Sequence, residues 1–456
     1  MRFENKADLG AYTCYFGSFI GARNVSITMN GVYDIPALSM TSELYFTNTV
    51  PVSAYRGAGR PDIAYAIERL IDHAAHEHGF DPIELRRKNF IQPNQFPYDN
   101  QIGSVYDSGD PKGLIDDVVR YADWAGYEKR RQESLARGKL RGISCCAFIE
   151  PAGGGGSPVE EVAIKFGDSG NPILYTVSGP SGQGHETTYP EIVGQVLGMD
   201  ADDITLRYSD PDGPAQRGDG TIGSRSLMSH GGALFQAAHE VVKKGRELAA
   251  QHLEVGSDDI EFTEGQYRVR GTDLAVGLVE LSRIYAKDGA SPLDTLFEGA
   301  QQRSFPTGAH VAEVEVDPQT GEVELLSYVG VDDCGNIINH TLAEGQVHGG
   351  VMQGLGQVLG EVCIYDQSGQ MLTGSFMDYC MPRAADLKGL QLFDRPIPAP
   401  GNPLGAKGVG EAGTTGSVPT LANAVMDALR PMGVNHVDFP LTAARIWNAI
   451  KASKAA

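Results

Sequence analysis

One carboxylate stands inside a glycine-rich loop, where it could act on a bound ligand. The loop is AKGVGEAGTTG, residues 406–416, and Glu411 lies near its centre. Because glycine lacks a Cβ atom, such a loop can bring backbone close to a ligand and adopt positive φ angles. A carboxylate held against that ligand could serve as a general base, which must reach the proton it removes. The alternative is a surface turn whose glutamate points to water, since a short motif alone is weak evidence.

Four further glycine-rich segments each lie next to a predicted helix, at residues 53–62, 178–192, 218–232 and 344–357. Three of them stand at a helix start, where backbone N–H groups and the helix dipole favour an anion such as a phosphate. Their side chains supply donors and acceptors suited to a polar heterocycle, namely Gln183, His185, Ser224, Arg225 and Gln346. The alternative for any one segment is an ordinary turn with capping residues.

Motifs for other chemistries are absent or weak in the sequence. It has no G-x-x-x-x-G-K-[ST] phosphate loop and no G-x-S-x-G nucleophile elbow. Three histidines crowd residues 73–78, but without H-E-x-x-H a solvated helix face explains them better than a zinc site. The acidic residues at 332–333 and 210–212 could bind a hard cation, yet each pair is better explained as a turn cap.

Composition restricts the class of partner. The 456 residues include 58 acidic and 37 basic side chains, which gives a formal net charge of -21. We therefore expect no binding to nucleic acid or to an anionic membrane, because both require a basic surface. No apolar run reaches the length of a membrane span, and the N-terminus has no signal-peptide core. The six cysteines form no C-x-x-C pair, so we expect no iron–sulfur cluster on this chain and a reducing, cytoplasmic location.

The elements that must position these residues mix strands and helices, which predicts an α+β fold with mixed sheets and packed helices in two or more lobes. Residues 1–60 are predicted to be mostly strand and loop, and a helix follows from Pro61. The charged segment 128–142 is predicted to be a surface helix and linker. We therefore divide the chain into residues 1–140 and residues 141–456.

The second part alternates strand and helix patterns. Apolar runs predict strands at 143–149, 160–166, 172–178 and 204–208. Turn residues between alternating segments predict hairpins at Glu264-Gly265 and over residues 311–329. Helical spacing predicts helices near 187–198, 225–253, 344–360, 419–430 and 441–452.

Six segments, taken together, resemble the molybdenum-binding large subunit of the xanthine dehydrogenase, aldehyde oxidase and carbon monoxide dehydrogenase family. They follow the family's order over nearly the whole chain and are AYRGAGRP, GQGHETTY, GTIGSRS, EGQVHGGVMQGLGQ, SFMDYCMPR and AKGVGEAG. The resemblance is strongest to the carbon monoxide dehydrogenase-like branch. It implies the family's molybdopterin-binding fold, with residues 1–140 as the C-terminal part of a first cofactor-binding lobe and residues 141–456 as a second lobe.

The resemblance also implies roles for individual residues. Glu411 corresponds to the family's glutamate, which lies beside the molybdenum and acts as general base. The implied cofactor is molybdopterin cytosine dinucleotide, and the residues expected to bind it are Arg56, Gly57, Gln183, Gly184, His185, Thr221, Gly223, Ser224, Arg225, Gln346, Lys407, Gly408 and Gly410. We expect Arg225 and the 221–226 loop to hold an anionic part of the cofactor at a helix start. The alternative is that Arg225 pairs with a nearby surface carboxylate.

Two departures from the family's pattern change what the resemblance implies. Carbon monoxide dehydrogenases carry a copper-binding cysteine in the loop after Tyr-Arg, and Gly57 stands at that position, so we do not expect oxidation of carbon monoxide. The family's large subunit is also longer at its N-terminus, where an early glycine–phenylalanine loop contacts the pterin. We therefore expect this chain to be the C-terminal part of a large subunit, with the N-terminal half as a separate partner.

The implied activity is hydroxylation of an aldehyde or of an N-heterocyclic or aromatic substrate, with oxygen derived from water. Electrons would pass to an iron–sulfur small subunit with [2Fe-2S] clusters and to an FAD-containing medium subunit, because neither cofactor has a motif in this chain. The implied assembly is a dimer of heteromers. The alternative is a non-catalytic scaffold subunit that retains the fold without the cofactor.

Overall fold

The computed structural model describes residues 1–154, 156–300 and 303–455, and its mixed sheets and packed helices confirm the predicted α+β class. The strands are β1 (Arg2–Asp8), β2 (Ser39–Tyr45), β3 (Tyr98–Asp99), β4 (Val105–Tyr106), β5 (Leu140–Ile149), β6 (Ala152–Gly153), β7 (Val159–Phe166), β8 (Pro172–Thr176), β9 (Thr205–Tyr208), β10 (Ile260–Thr263), β11 (Gln266–Val269), β12 (Ala275–Gly277), β13 (Thr295–Ala300), β14 (Arg303–Ser304), β15 (Thr307–Val316), β16 (Val323–Asp333) and β17 (Leu390–Asp394). The α-helices are α1 (Gly17–Phe19), α2 (Arg60–His78), α3 (Pro82–Asn89), α4 (Pro111–Tyr121), α5 (Tyr127–Ala136), α6 (His185–Leu197), α7 (Gly232–Leu253), α8 (Leu278–Ile284), α9 (His340–Leu359), α10 (Ala412–Leu429) and α11 (Ala443–Ser453).

One four-stranded sheet has the order β17-β16-β15-β5. Strands β15 and β16 form the predicted hairpin, β5 pairs antiparallel with β15, and β17 pairs parallel with β16. Helix α10 lies across β5 and β15, and α9 packs against α10. Strand β5 is an almost continuous apolar run because both of its faces are covered. The sheet therefore supports the helix at whose start Glu411 lies.

A second four-stranded sheet has the order β13-β7-β8-β9 and forms its own apolar cluster with α6 and α7. Strand β7 pairs antiparallel with β8 and β13, whereas β8 and β9 are parallel. Leu234, Ala238 and Val241 recur at helical spacing along α7 and are completely buried. This sheet positions the glycine-rich segments that precede α6 and α7.

The first 60 residues contain helical turns in addition to the predicted strands. Strands β1 and β2 pair in parallel, from Arg2 opposite Ser39 to Asp8 opposite Tyr45. Between them the chain turns through α1 and a π-helical segment at Ile20–Asn24. Gly21 packs against the side chains of β1 and β2, so tertiary packing on this small sheet favours a compact turn over an extended strand.

The apolar core crosses the predicted boundary between residues 140 and 141. One buried cluster joins Ile67 of α2 and Leu114 of α4 to Ile149 of β5 and Val311 of β15. Residues before and after the boundary therefore share a core, and the division into two lobes stays a prediction. Among the described residues, none of the helices is both long and apolar enough to cross a membrane.

Three predicted helices begin elsewhere in the structure, among them α9, which begins at His340 instead of near residue 344. A π-helical turn, Leu227–Gly231, precedes α7, so the predicted helix at 225–253 becomes regular only at Gly232. Helix α10 begins at Ala412 and contains Pro419, at which the sequence pattern predicted the helix start. The hydroxyl-rich first turns of α10 obscured this start, because such residues also favour loops. Here the Thr415 hydroxyl donates to the carbonyl of Glu411 over 3.2 Å, inside the helix.

Candidate active site

The five glycine-rich segments meet at one cavity of about 590 Å³. Its lining comes from residues 54–56, 181–189, 221–227, 334–346 and 407–411. A volume of this size lies within the roughly 300–1,000 Å³ range of small-molecule and cofactor sites. The long connections between sheets and helices thus bring segments that are far apart in sequence to a common site.

Glu411 lies in this cavity as the N-terminal cap residue of α10. Its Oε1 atom accepts the backbone N–H of Gly57 over 2.9 Å, and its Oε2 atom accepts the Ser224 hydroxyl over 2.8 Å. Its side chain is 14% exposed. The alternative of a glutamate that simply points to water from a surface turn is therefore wrong.

The neighbouring loops need glycine where they approach Glu411. Gly57 has φ of +98°, which L side chains rarely adopt, and a Cβ atom there would lie 2.5 Å from Pro61 Cγ. A Cβ atom at Gly408 would overlap the Ser224 carbonyl oxygen and lie 2.5 Å from Ala152 Cβ. Glycine at these two positions lets the backbone donor and the Ser224 hydroxyl reach the carboxylate.

Two charged residues beside Glu411 were not predicted from the sequence. Arg60, at the start of α2, has its Nη2 atom 3.5 Å from Glu411 Oε2 and 3.7 Å from Glu150 Oε1. Glu150 follows β5 directly and its side chain is completely buried. The Ser224 hydroxyl lies 3.3 Å from Glu150 Oε1 as well as 2.8 Å from Glu411. The site therefore contains two neighbouring carboxyl groups, those of Glu150 and Glu411, which both lie next to the guanidinium of Arg60.

Their surroundings separate the pKa values of the two carboxyl groups. Burial raises the pKa of Glu411, but Arg60, Glu150 and the Gly57 and Ser224 donors outweigh it and leave the pKa below its usual value. Burial and then the charge of Glu411 raise the pKa of Glu150 well above its usual value. The arrangement thus favours an ionised Glu411 beside a protonated Glu150, the kind of division that marks carboxyl pairs with different roles.

Arg56 connects three of the lining segments. Its Nη2 atom donates to the carbonyl and side-chain oxygens of Gln346 over 2.9 and 3.1 Å, and its Nε atom donates to the Gly410 carbonyl. Its Nη1 atom donates to Gln353 over 3.2 Å. Since all of these acceptors are neutral, the guanidinium charge remains available to the cavity.

The segment before α6 supplies further polar groups. Gly184 is the N-terminal cap of α6 and provides no side-chain cap, and Gln183 and His185 line the cavity. The His185 Nδ1 atom lies 3.2 Å from the Ser178 carbonyl, and burial lowers the pKa of this histidine, which favours a neutral ring. The Thr221 hydroxyl donates to the Gly179 carbonyl over 2.7 Å and so ties the 221–227 segment to this one. Gly223, Ser224 and Gly408 also line the cavity.

Two of the predicted cofactor-binding side chains are turned toward the protein interior. Arg225 is 2% exposed, donates to the Ile222 carbonyl over 2.9 Å and lies 2.7 Å from Asp219 Oδ2. Lys407 is 1% exposed, and its Nζ atom lies 2.6 Å from Asp333 Oδ2. Lys407 is among the residues that line the cavity and Arg225 is not, and the carboxylate pairing of Arg225 occurs in the interior instead of on the surface.

The alternative metal sites are not formed by the described residues, which contain no group of three or more metal-ligating side chains. His76 lies 3.8 Å from Asp427, and Asp332 accepts from His310 over 3.1 Å. Asp210 accepts the backbone N–H of Asp212 over 3.0 Å. Asp210 thus caps a turn, as the sequence interpretation proposed, and Asp333 Oδ1 accepts the Gly335 N–H over 3.0 Å at the end of β16, whereas Asp332 lies within β16 and contacts His310.

Glu150 carried a signal in the sequence that the glycine-rich segments did not include. It stands at the end of a predicted strand and directly before the run PAGGGGS at 151–157. Glu150 shares with Glu411 only its glycine-rich neighbourhood, because Glu150 follows a strand whereas Glu411 precedes a helix. Arg60 lay within the AYRGAGRP segment, but nothing in its spacing distinguished it from Arg56.

Comparison with known proteins places this geometry in a family. Residues 1–90 and residues 118–388 each match a family described as molybdopterin cofactor-binding domain. The chain is 33% identical to the carbon monoxide dehydrogenase large chain of Hydrogenophaga pseudoflava over 92% of this chain and 55% of the relative. It is 32% identical to the nicotine 6-hydroxylase large subunit of Paenarthrobacter nicotinovorans, over 93% of this chain and 54% of that subunit.

A solved structure of similar fold agrees with the sequence relatives. Quinoline 2-oxidoreductase from Pseudomonas putida 86 superposes with a TM-score of 0.90 at 30% identity, over 98% of this chain and 60% of that one. The chain thus spans little more than half the length of these proteins. From the matched families and relatives, we conclude that the chain belongs to the molybdenum-binding large subunits of the xanthine dehydrogenase, aldehyde oxidase and carbon monoxide dehydrogenase family.

Proposed function

We propose that the chain is the part of a molybdenum hydroxylase that carries its general base and much of its cofactor site. The single observation that supports this most is the Glu411 carboxylate, held in the cavity by Gly57 N–H, the Ser224 hydroxyl and Arg60. A base held by two hydrogen-bond donors beside a guanidinium has a fixed position and a pKa below its usual value. The proposed reaction is hydroxylation of an electrophilic carbon with oxygen from water.

The residues at the cavity suit a molybdopterin dinucleotide. Helix α6 begins there with Gly184 as its N-terminal cap and has no side-chain cap on its first N–H groups, which leaves those donors for an anion. Gln183, Gln346 and the Arg56 guanidinium add donors and acceptors for a polar heterocycle. When bound, the molybdenum centre would supply two-electron redox chemistry. We propose the cytosine dinucleotide form, which the resemblance of the glycine-rich segments implies.

In this proposal Glu411 accepts a proton from a hydroxyl group bound within hydrogen-bonding distance of its carboxylate. Its Oε1 and Oε2 atoms each keep one donor from the protein, so the carboxylate is oriented before the ligand arrives. Ser224 and Gly57 act as positioning residues, and Gly408 and Gly410 allow the close packing against Ser224. Arg56 hydrogen-bonds to both the 344–357 segment and the 406–416 loop, and so fixes the distance between Glu411 and Gln346.

We propose an N-heterocyclic or aromatic compound or an aldehyde as the substrate. Two relatives are named as hydroxylating or oxidising N-heterocycles, nicotine 6-hydroxylase and quinoline 2-oxidoreductase. Gly57 has no side chain with which to hold a second metal, so we do not propose oxidation of carbon monoxide. The cavity's lining includes Ile222, Ile337 and Leu342 beside its polar groups, which provides apolar contacts for the proposed substrate.

We further propose that partner chains complete the enzyme. The relatives are large chains or subunits whose length the chain covers by 54 to 60%. The proposed partners are an N-terminal half of the large subunit, a [2Fe-2S] small subunit and an FAD medium subunit, assembled as a dimer of heteromers. A reducing, cytoplasmic location is supported by the six cysteines, all of which are free thiols.

The test is metal and nucleotide analysis of the chain purified with its partners, followed by turnover. We expect about one molybdenum per chain, release of a cytosine nucleotide on acid treatment, and reduction of the complex by an N-heterocycle or aldehyde without oxygen. Carbon monoxide serves as the control substrate and should cause no reduction. A complex without molybdenum would favour the alternative of a scaffold subunit, and a complex with molybdenum that oxidises only carbon monoxide would refute the substrate assignment.

A further inference from the structure

Glu150 lies where a second carboxyl group can act on the proposed base. It follows β5, and its backbone N–H donates to the Pro306 carbonyl over 2.9 Å, which fixes it at the edge of the sheet. Its side chain is 0% exposed and lies within hydrogen-bonding reach of Glu411. The Ser224 hydroxyl and Arg60 contact both side chains.

The charges around the pair favour one negative charge over two. Arg60 is the cation that contacts both carboxyl groups, and it also donates to the Pro151 carbonyl over 3.0 Å. Arg56 also interacts electrostatically with both carboxyl groups, but its hydrogen bonds go to neutral acceptors. If Glu150 and Glu411 were both ionised, their negative charges would repel each other, and the loss of hydration in this buried site would destabilise both. One shared proton removes the repulsion.

An oxygen atom without a donor indicates where that proton lies. Glu150 Oε2 is buried and has no hydrogen-bond partner among the described residues when both carboxyl groups are ionised. A buried acceptor without a donor is destabilising, and more so when the group is charged. Glu411, by contrast, already has a donor on each oxygen, from Gly57 and Ser224. A proton on Glu150 turns the orphaned acceptor into a donor and satisfies both groups.

We propose that Glu150 is a protonated positioning residue that donates a hydrogen bond to Glu411, so that the two carboxyl groups carry a single negative charge on the base. The inference rests on the proposed function, in which Glu411 is the general base. Glu150 keeps Glu411 ionised and oriented at neutral pH, and it does not itself contact the substrate. The pair titrates as a unit, with apparent pKa values that belong to both groups.

Two substitutions separate a protonated Glu150 from an ionised one. In Glu150→Gln the amide can donate to Glu411 as the carboxylic acid does, so the acid limb of the pH–rate profile should stay within about half a pH unit of wild type. In Glu150→Leu that donor is lost and Glu411 becomes harder to ionise. The acid limb should then move to higher pH by about one to two units, which is the worth of a hydrogen bond to a charged group.

An ionised Glu150 would shift the acid limb of the pH–rate profile in the opposite direction. If Glu150 were ionised, either substitution would remove a negative charge beside Glu411, and the acid limb would move to lower pH in both variants. That result would overturn the proposal. Asp427→Asn is the matched control, because Asp427 is also a carboxyl group that is mostly buried, with a side chain 22% exposed, but it lies at the far end of α10, about 24 Å from Glu411 at 1.5 Å per residue. It should leave the limb unchanged.

A measurement without turnover keeps this inference separate from the proposed function. The complex should show the C=O stretching band of a carboxylic acid in the infrared at neutral pH, and Glu150→Gln should remove it while Asp427→Asn leaves it. Thermal unfolding and molybdenum content of each variant check that the fold and the site persist. If Glu150→Gln removes the band but the wild-type complex shows no turnover, the proposed function alone fails. A spectrum that is unchanged in Glu150→Gln would overturn the protonated Glu150.

Discussion

The backbone N–H of Gly57 donates to Glu411 Oε1 over 2.9 Å, and so joins two loops that lie 354 residues apart in the chain. The donor belongs to the backbone, which the positive φ of Gly57 aims at the carboxylate. Glu411 is also the N-terminal cap of α10, so its backbone is fixed by the helix that crosses the central sheet. The proposed base is thus held at both its side chain and its main chain before any ligand binds.

Replacing Glu411 with glutamine should abolish turnover and leave the cofactor bound. The amide oxygen can still accept the Gly57 N–H, and the amide nitrogen can donate to the Ser224 hydroxyl, so the loop should keep its shape. The amide cannot accept the proton, and loss of a positioned base typically costs about 10²–10⁴-fold in rate. Turnover and molybdenum content of the purified complex are the measurements. Near-normal kcat in a fully loaded variant would remove Glu411 from the mechanism.

Replacing Gly408 with alanine should lower turnover by displacing Ser224 from Glu411. The added methyl group would overlap the Ser224 carbonyl and meet Ala152 Cβ at 2.5 Å, and both contacts are with groups that cannot move freely. We expect a loss of roughly tenfold or more, because a small misplacement of a positioning group is costly. Gly374→Ala is the matched control, since a Cβ atom there meets nothing within 4 Å. Equal activity of the two variants would show that the Gly408 contact is unimportant.

The sequence allowed the five loops to be identified but not the direction of every side chain in them. The loops were recognisable because glycine and polar residues next to helix starts are local signals. The hairpin of β15 and β16 was predictable for the same reason, from its alternation around the turn. Glu150 was missed, because its role depends on contact with Glu411, 261 residues later, and no local pattern encodes a distance between two segments.

Arg225 illustrates the same limit. Its position in the GSRS segment before a helix predicted an anion-binding side chain, whereas the structure places its guanidinium 2.7 Å from Asp219 and 3.6 Å from Glu160, beneath the loop. The carboxylate that it meets lies six residues earlier in the same glycine-rich segment, so the loop closes on itself. Whether Arg225 binds a carboxylate of its own loop or an anionic part of the cofactor depends on whether its side chain is buried. The sequence alone does not show which side chains of a loop are buried.

Replacing Arg225 with alanine should therefore lower stability and, as a consequence, cofactor content. The substitution removes the buried guanidinium beside the Asp219 and Glu160 carboxylates, and breaking a buried ion pair typically costs about 3–5 kcal/mol. The free energy of unfolding measured without cofactor should fall in Arg225→Ala and recover in part in Arg225→Lys. If stability without cofactor stayed the same while molybdenum was lost, the guanidinium would be bound to the cofactor directly.

Asp427, a carboxyl group far from the cavity, should make the stability of the chain depend on pH. Burial raises the pKa of Asp427 from its ordinary value of 3.8 to about 6. The Ile143 N–H and the Tyr127 hydroxyl donate to the carboxylate and oppose this rise, but they do not cancel it. A raised pKa in the folded state means that the folded protein binds the proton more tightly than the unfolded chain. The stability that Asp427 contributes is therefore complete below about pH 4 and is lost as pH rises through about 6. The loss amounts to roughly 3 kcal/mol at neutral pH, since one pKa unit corresponds to about 1.4 kcal/mol.

Asp427→Asn should remove this dependence, so the variant should gain stability relative to wild type between pH 4 and pH 7. Urea unfolding of both proteins at several pH values measures the difference, in which the titration of the other carboxyl groups cancels. A constant difference across this range would show that Asp427 is already ionised in the folded protein at pH 4.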